Sequence, residues 1–348
     1  MKLLLTGGSG YIGSHTAYCL LQNLDCEIVI LDNFSTGFRE NFLYLQAVYP
    51  KRVRLVTMDL GDLAGLEMLL GAENVDKKGF DAVLHFGASL IVSESVEKPL
   101  LYYKNNVINT INLIDLCIKH KIKNFIFSST AAVYGEPDSS LIPVKESAPL
   151  LPINPYGSSK MMSEMVMRDV SAVEDFCYIA LRYFNVAGSS MANNPKDLSQ
   201  NLGLGQRAKN ATHLIKIATQ CATHKRDETF IFGDDYPTPD GTCIRDYIHI
   251  DDLASAHLVA LEFLLQHKKS EIFNVGYNQG YSVKEVIDCV KKVSGVDFCV
   301  KNAPRRDGDP AMLIASNEKL LSLTHWKPRY NDLELIVKSA YEWERFLK

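Results

Sequence analysis

Two rhythms of apolar residues alternate along the first half of the chain. Continuous apolar or β-branched runs at Lys2 to Thr6, Glu27 to Leu31, Val53 to Thr57, Ala82 to His85, Asn124 to Ser129 and Tyr178 to Arg182 read as short buried strands. Between them apolar positions return at helical spacing, first over Tyr11 to Gln22. Strand, helix and strand repeated in this way predict an α/β fold: a Rossmann-type doubly wound parallel sheet covered by helices on both faces. Asn106 to Lys119 sets Val107, Ile111, Leu113, Ile114 and Cys117 at helical spacing, and Tyr156 to Asp169 has a similar period. Both internal packing and pairing between two subunits are compatible with these helices.

Past about Asn185 the rhythm breaks. A polar stretch rich in Asn, Ser and Gly, Ser189 to Asn210, predicts a long functional loop. Strands at Thr229 to Phe232, Asp246 to Ile250 and Phe273 to Val275 mix with helices beginning near Asp252, Ser282 and Asp332, the last with an apolar face of Leu333, Ile336, Val337, Ala340 and Trp343. The expected organisation is a larger domain over 1–185, to which about 240–275 contributes, and a smaller mixed α/β substrate domain over 186–348.

Composition narrows the class. A chain of 348 residues that is 47% hydrophobic fills a core without cross-links. The formal net charge of −4, with both signs interspersed, offers no broad basic field for nucleic acid or an anionic membrane. Eight scattered cysteines without a Cys-x-x-Cys pair, and no His cluster at zinc spacing, predict reduced thiols in the cytoplasm and no metal. No run of about 18 apolar residues predicts a membrane span, and the apolar N-terminus lacks a small-residue cleavage site.

The chemistry begins at Thr6-Gly7-Gly8-Ser9-Gly10-Tyr11-Ile12-Gly13, between the first strand and the first helix. Glycines clear side chains from a loop whose amides and helix terminus favour a pyrophosphate. Asp32 closes the next strand, where a carboxylate accepts from ribose hydroxyls and repels a 2′-phosphate, so the expected cofactor is NAD rather than NADP. Asp59, after the third strand, suits either an adenine contact or a helix cap. Tyr156 and Lys160 stand four residues apart, on one helical face. A phenol that titrates near pH 10 works as a base only where positive charge favours the phenolate, and Lys160 with oxidised nicotinamide supplies that charge. Thr130, at the end of its strand, is placed to orient a reacting alcohol.

These residues resemble a known family, the extended short-chain dehydrogenase/reductases, and within it the UDP-sugar C4 epimerases. The resemblance runs nearly end to end. It rests on Thr-Gly-Gly-Ser-Gly-Tyr-Ile-Gly-Ser-His (6–15), Leu-Asp-Asn (31–33), His-Phe-Gly-Ala (85–88), Phe-Ser-Ser-Thr-Ala-Ala-Val-Tyr-Gly (127–135) and Asn-Pro-Tyr-Gly-Ser-Ser-Lys (154–160). Leu-Arg-Tyr-Phe-Asn-Val-Ala-Gly (181–188), Ile-Phe-Gly-Asp-Asp-Tyr (231–236), Asp-Gly-Thr-Cys-Ile-Arg-Asp-Tyr-Ile-His (240–249) and Ala-Pro-Arg-Arg-Asp-Gly-Asp (303–309) continue it.

The resemblance implies interconversion of UDP-glucose and UDP-galactose through a transient 4-keto sugar, with NAD retained, in a homodimer. It assigns Tyr156, Lys160 and Thr130 to catalysis. Around NAD it sets Gly7, Gly10, Tyr11, Ile12, Gly13, Asp32, Asn33, Asp59, Leu60, Phe86, Gly87, Ala88, Asn105, Ser128 and Tyr183 beside Tyr156 and Lys160. Around the substrate, besides Thr130 and Tyr156, it sets Asn185, Arg245 and Arg306 on the diphosphate, Phe232 under the uracil and Asp309 on the uridine ribose, with His213, Leu214, Tyr247 and Leu313 close by. Two arginines near a stacking aromatic suit a nucleotide diphosphate. They also suit local ion pairs, Arg245 with Asp246 or Arg306 with Asp307.

Two departures matter. Leu90 stands where some relatives carry lysine, and Leu313 is intermediate between the tyrosine that admits plain hexoses and the small residue that admits N-acetyl sugars, so UDP-N-acetylhexosamines stay open as substrates. Among rivals, a sugar-nucleotide dehydratase needs Asp-Glu after the threonine, where this chain has Ala131 and Ala132. A net dehydrogenase needs exchangeable cofactor, and a non-catalytic NAD-binding regulator has no use for Tyr156, Lys160 and Thr130 together.

Overall fold

The computed structural model describes residues 1–74, 79–193, 203–208, 211–306 and 309–347. Its first part alternates as the apolar runs predict: β1 (Lys2–Thr6), α1 (Tyr11–Asn23), β2 (Glu27–Asp32), α2 (Arg39–Val48), β3 (Val53–Thr57), α3 (Leu63–Glu73) and β4 (Ala82–His85). Then come α4 (Val92–Glu97), α5 (Pro99–Tyr102), a π-helical turn (Tyr103–Ile108), α6 (Asn109–Lys119), β5 (Asn124–Thr130), α7 (Pro155–Ser171), β6 (Cys177–Tyr183) and β7 (Asn185–Ala187).

The second part runs α8 (Leu214–Ala222), β8 (Glu228–Phe232), β9 (Ile244–Arg245), β10 (Tyr247–His249), α9 (Ile250–His267), β11 (Glu271–Val275), β12 (Tyr281–Ser282) and α10 (Val283–Ser294). It ends with β13 (Cys299–Ala303), β14 (Met312–Leu313), α11 (Glu318–Leu323) and α12 (Leu333–Phe346).

Seven strands form one parallel sheet in the order β11-β6-β5-β4-β1-β2-β3. β4 and β5 are wholly buried and β1 is buried beyond Lys2, which is why β1 and β4 read as apolar runs. The order reverses at β1 and β4, so the crevice beyond their C-terminal ends is the topological switch point where ligands of open α/β sheets bind. α9 packs on α1, and β11 extends the sheet beside β6, so residues 250–275 return to the first layer. The second part, together with β7, forms three small sheets, β10-β7, β12-β9-β14 and β13-β8.

Several boundaries differ from the expectations. The strand expected over Asp246 to Ile250 is shorter, Tyr247–His249, and is separated from a further two-residue strand, Ile244–Arg245, by Asp246, whose buried carboxylate accepts from the backbone N–H groups of Tyr277 and Asn278. The helix expected near Asp252 starts at Ile250, capped by His249 through the Asp251 N–H. The helix expected at Asn106 is reached continuously from α5 through the π-helical turn, an insertion of extra backbone that α-helical spacing does not reveal. The expected loop Ser189 to Asn210 lies largely outside the described residues. Its described ends pair in one antiparallel bridge, Ser189 with Gly205. No helix among the described residues is long and apolar enough to cross a membrane.

Candidate active site

The glycine loop is built by close backbone approach. Gly7 has φ +68°, and a Cβ there would stand 2.7 Å from the Gly87 N. A Cβ on Gly13 would stand 2.5 Å from the Gly7 carbonyl oxygen, and one on Gly87 2.6 Å from Leu60 Cδ1. Gly7, Gly13, Leu60 and Gly87 are thus brought into one cluster at the head of α1. Gly10 caps α1 without a side-chain hydrogen bond and no acid stands in the first turn, which leaves the amides of Tyr11 and Ile12 for an anion. The Tyr11 phenol turns elsewhere and donates to the Gly188 carbonyl at 2.7 Å.

Asp32 ends β2 beside this cradle, 5% exposed. Its Oδ2 accepts from the Ser9 N–H and its Oδ1 from the Phe34 N–H, both at 2.8 Å, so one lone pair per oxygen stays open to ribose hydroxyls. Burial raises its pKa and those two bonds oppose the rise. Asp59 accepts from Asn33 Nδ2 at 2.6 Å and from the Gly61 N–H, while the cap of α3 is Asp62. Around the crevice, the Phe86 and His257 rings meet at a tilt of 46° with centroids 5.1 Å apart, and Asn105 donates to Ser89 Oγ at 3.0 Å. Bare backbone at the loop, a helix terminus and a carboxylate at the next strand together fit a dinucleotide bearing a free ribose diol.

Tyr156 and Lys160 lie on α7, whose start is fixed by Asn154, accepting from the Gly157 N–H at 2.8 Å, and by Pro155 in the first turn. The Lys160 Nζ donates to the Ser128 carbonyl at 2.8 Å and lies 4.7 Å from the centre of the Phe127 ring. Burial pulls its pKa down to about 7, and Glu164 opposes that fall. Tyr156 is pushed up by burial and eased by a hydrogen bond with the Thr130 hydroxyl. Tyr183 reaches the Ser128 hydroxyl from β6. Thr130, Ser128 and Lys160, all buried, and the half-buried Tyr156 and Tyr183 therefore share one corner at the C-terminal end of the sheet.

The substrate candidates gather on the second part. Asn185, His213, Leu214 and Tyr247 line a common cavity with Trp343. Arg245 and Leu313 are register partners in β9 and β14. Arg245 faces Asp309 at 3.5 Å, and not the neighbouring Asp246. Arg306 lies over the Phe232 ring, 3.7 Å from its centre, so these two meet each other. Asp307, its alternative partner, lies outside the described residues. Among the described residues no group of three or more His, Cys, Asp or Glu side chains is placed to hold a metal ion.

Sequence reading missed a second layer beneath this corner: Ser129, Glu164, Arg182, Tyr134 and Asn274, all buried. Glu164 carried a usable signal, standing four residues past Lys160 on the same face. Arg182 lies within a quoted motif without an assigned role, because a buried arginine's partner is set by the tertiary fold.

A reversed parallel sheet with a glycine cradle at its switch point, and beside it a half-buried tyrosine one turn from a buried lysine, defines a Rossmann-type dinucleotide enzyme. The chain belongs to the NAD dependent epimerase/dehydratase family, whose profile matches residues 3–276. It is 43% identical over 347 residues to a UDP-glucose 4-epimerase of Azospirillum brasilense, across 100% of this chain and 93% of that one. Among solved structures it resembles the UDP-Glc/GlcNAc 4-epimerase of the human pathogen Campylobacter jejuni, with TM-score 0.82 and 52% identity over 99% of this chain and 98% of that one. It also resembles the UDP-glucose-4-epimerase of Stenotrophomonas maltophila with bound NAD and formylated UDP-arabinopyranose, with TM-score 0.90 and 34% identity over the same shares, 99% and 98%.

Proposed function

We infer that the chain is an NAD-dependent UDP-sugar C4 epimerase that interconverts UDP-glucose and UDP-galactose through a 4-keto sugar. The observation that carries this reading is the corner in which Thr130 meets Tyr156 while Lys160 is tied to the same strand at Ser128. Tyr156 accepts the C4 hydroxyl proton and later returns it, and Thr130 orients that hydroxyl. Lys160 holds positive charge beside the phenol and reaches the nicotinamide ribose. NAD, when bound, would supply a reversible hydride acceptor for C4. Gly7, Gly10, Tyr11, Ile12 and Gly13 would hold its pyrophosphate through their amides, and Asp32 its adenosine ribose.

Substrate binding is assigned to the second part. Asn185, Arg245 and Arg306 hold the diphosphate, Phe232 carries the uracil and Asp309 the ribose, which requires Arg306 to leave the face of Phe232 and Asp309 to share Arg245 with phosphate. Elimination of water is disfavoured because Ala131 and Ala132 carry no proton-transfer group. A second substrate class, UDP-N-acetylhexosamines, is supported by the 52% identity to an enzyme described as acting on both UDP-Glc and UDP-GlcNAc, and by leucine at Leu313.

A homodimer is supported by the apolar residues that α5, the π-helical turn, α6 and α7 leave exposed, Leu100, Leu101, Ile108, Ile111, Met162 and Met165. Eight free thiols support a reducing cytoplasmic location, which fractionation checks. The deciding assay incubates purified protein with UDP-galactose and, separately, UDP-N-acetylgalactosamine, without added nicotinamide, and resolves the C4 epimers. Conversion of UDP-galactose is expected, and no interconversion of either sugar overturns the reading. Tyr156→Phe is expected to lower turnover by roughly 10²-fold or more while NAD stays bound.

A further inference from the structure

Three rungs of α7 meet three consecutive residues of β5. Tyr156, Lys160 and Glu164 follow one another at four-residue intervals and so stack along one face of the helix. Tyr156 meets the Thr130 hydroxyl, Lys160 the Ser128 carbonyl, and Glu164 Oε1 accepts from Ser129 Oγ at 2.5 Å. The first two rungs belong to the chemistry proposed above. The third has no place in it.

Glu164 is 3% exposed and Arg182, reaching it from β6, is 2% exposed. Arg182 donates from Nε at 3.0 Å to Oε1 and from Nη2 at 2.5 Å to Oε2, a two-pronged pair. Its Nη1 donates to the Tyr134 hydroxyl at 3.0 Å, which in turn donates to Asn274 Oδ1 at 2.6 Å on β11. Helix α7 is thereby tied to three strands of the sheet at the level of Lys160. An ion pair buried this deeply is a weak source of stability, because the desolvation of both charges offsets their attraction and well-packed apolar residues do as well. What an apolar pair cannot supply is a fixed geometry with a fixed charge one turn from an ammonium.

We propose that Glu164, clamped by Arg182 and Ser129, is the positioning residue for Lys160, setting where the ammonium stands against β5 and keeping it charged. This rests on the roles given to Tyr156 and Lys160 above. The charged and titratable groups that interact with Lys160 are Glu164 on α7 and His85 on β4; Arg182 on β6 holds Glu164, while Tyr102 on α5 and Tyr183 on β6 face Tyr156. Of these, Glu164 is the group whose charge favours the Lys160 ammonium, countering its burial.

The test measures kcat and KM for UDP-galactose across pH in NAD-loaded Glu164→Gln and Arg182→Gln, with NAD content and the thermal midpoint read alongside. In Glu164→Gln, kcat is expected to fall roughly ten- to a hundredfold with KM within about twofold, and the alkaline limit of kcat to move about one unit lower. In Arg182→Gln the uncompensated carboxylate moves that limit the other way, upward. A merely structural pair gives neither opposite sign, so unshifted limits, or shifts of one sign, overturn the proposal. If the glutamine variants lose NAD, Glu164→Asp decides: it keeps the charge on a shorter stem, so kcat falls severalfold at an unchanged alkaline limit, and wild-type kcat overturns the proposal. Full turnover in Tyr156→Phe would instead remove the reading beneath it.

Discussion

At the scale of single residues, the cofactor cradle depends on what is missing from two positions. A methyl group on Gly13 would meet the Gly7 carbonyl oxygen at 2.5 Å, and one on Gly7 would meet the Gly87 amide at 2.7 Å from a backbone already at positive φ. Both collisions are with main chain, which cannot swing aside as a side-chain tip can. Gly13→Ala is therefore expected to displace the loop without unfolding the sheet, and to lower retained NAD at least tenfold, about 1.4 kcal/mol or more of binding free energy. The 260/280 nm absorbance ratio of the purified protein reads this directly, and full NAD content in Gly13→Ala would contradict it. Gly8→Ala is the milder comparison, since its nearest neighbours are side-chain atoms of Ile30 and Leu5 at 3.1 Å.

At the scale of elements, legibility followed burial. β1 and β4 match the apolar runs residue for residue, because strands buried on both faces write continuous apolar stretches with clear ends, and the edge strand β3 matches as well although Arg54 and Thr57 are exposed. The pairs β9 with β14 and β12 with β9 are two-residue strands with no period to detect, and α3 is apolar on nearly every side, so nothing alternates. In the site, Tyr156, Lys160 and the glycines were legible because local spacing carries their chemistry. The tie from Arg182 to Glu164 was not, because it joins residues whose meeting depends on strand order.

Helices α6 and α7 carry the element-scale prediction. Ile111 and Met165, exposed on these two neighbouring helices, suit an apolar seam between two copies. Surface substitutions of this kind cost a folded subunit about 0.5 kcal/mol or less, whereas a carboxylate buried in a seam costs far more. The wild type is expected at twice the 39.0 kDa chain mass, and the double variant Ile111→Glu/Met165→Glu at the single-chain mass with NAD retained. Light scattering measures both. A wild-type monomer would remove the dimer, and a double variant that stays dimeric would move the seam elsewhere.

At the scale of the whole molecule, the crevice is assembled from buried polar groups, and these make the fold sensitive to acid. Four histidines are pulled down furthest by burial: His85 to about 3 between the Thr6 and Thr110 hydroxyls, His249 to about 3, and His15 and His257 to about 4. Each takes up a proton on unfolding once the pH falls below the ordinary histidine value near 6.5, so the stability each contributes is lost as pH falls toward its folded pKa. Asp246 and Asp251 work against this. Burial pushes both up to about 7, so each releases a proton on unfolding, and their contribution is lost as pH rises from the ordinary carboxylate range to about 7. Near pH 6 these four histidines take up protons on unfolding against two released by Asp246 and Asp251, while His213, lowered by burial, adds to the uptake and Asp32, Glu146 and Asp252, raised by burial, add to the release. The histidines with the largest falls outnumber the carboxylates with the largest rises, so stability is expected to fall between about pH 6.5 and 5. Urea unfolding of the NAD-loaded protein at these two pH values measures the slope. A stability that stays flat or rises on acidification would mean that the buried carboxylates outweigh the histidines, and that the crevice tolerates protonation better than its burial implies.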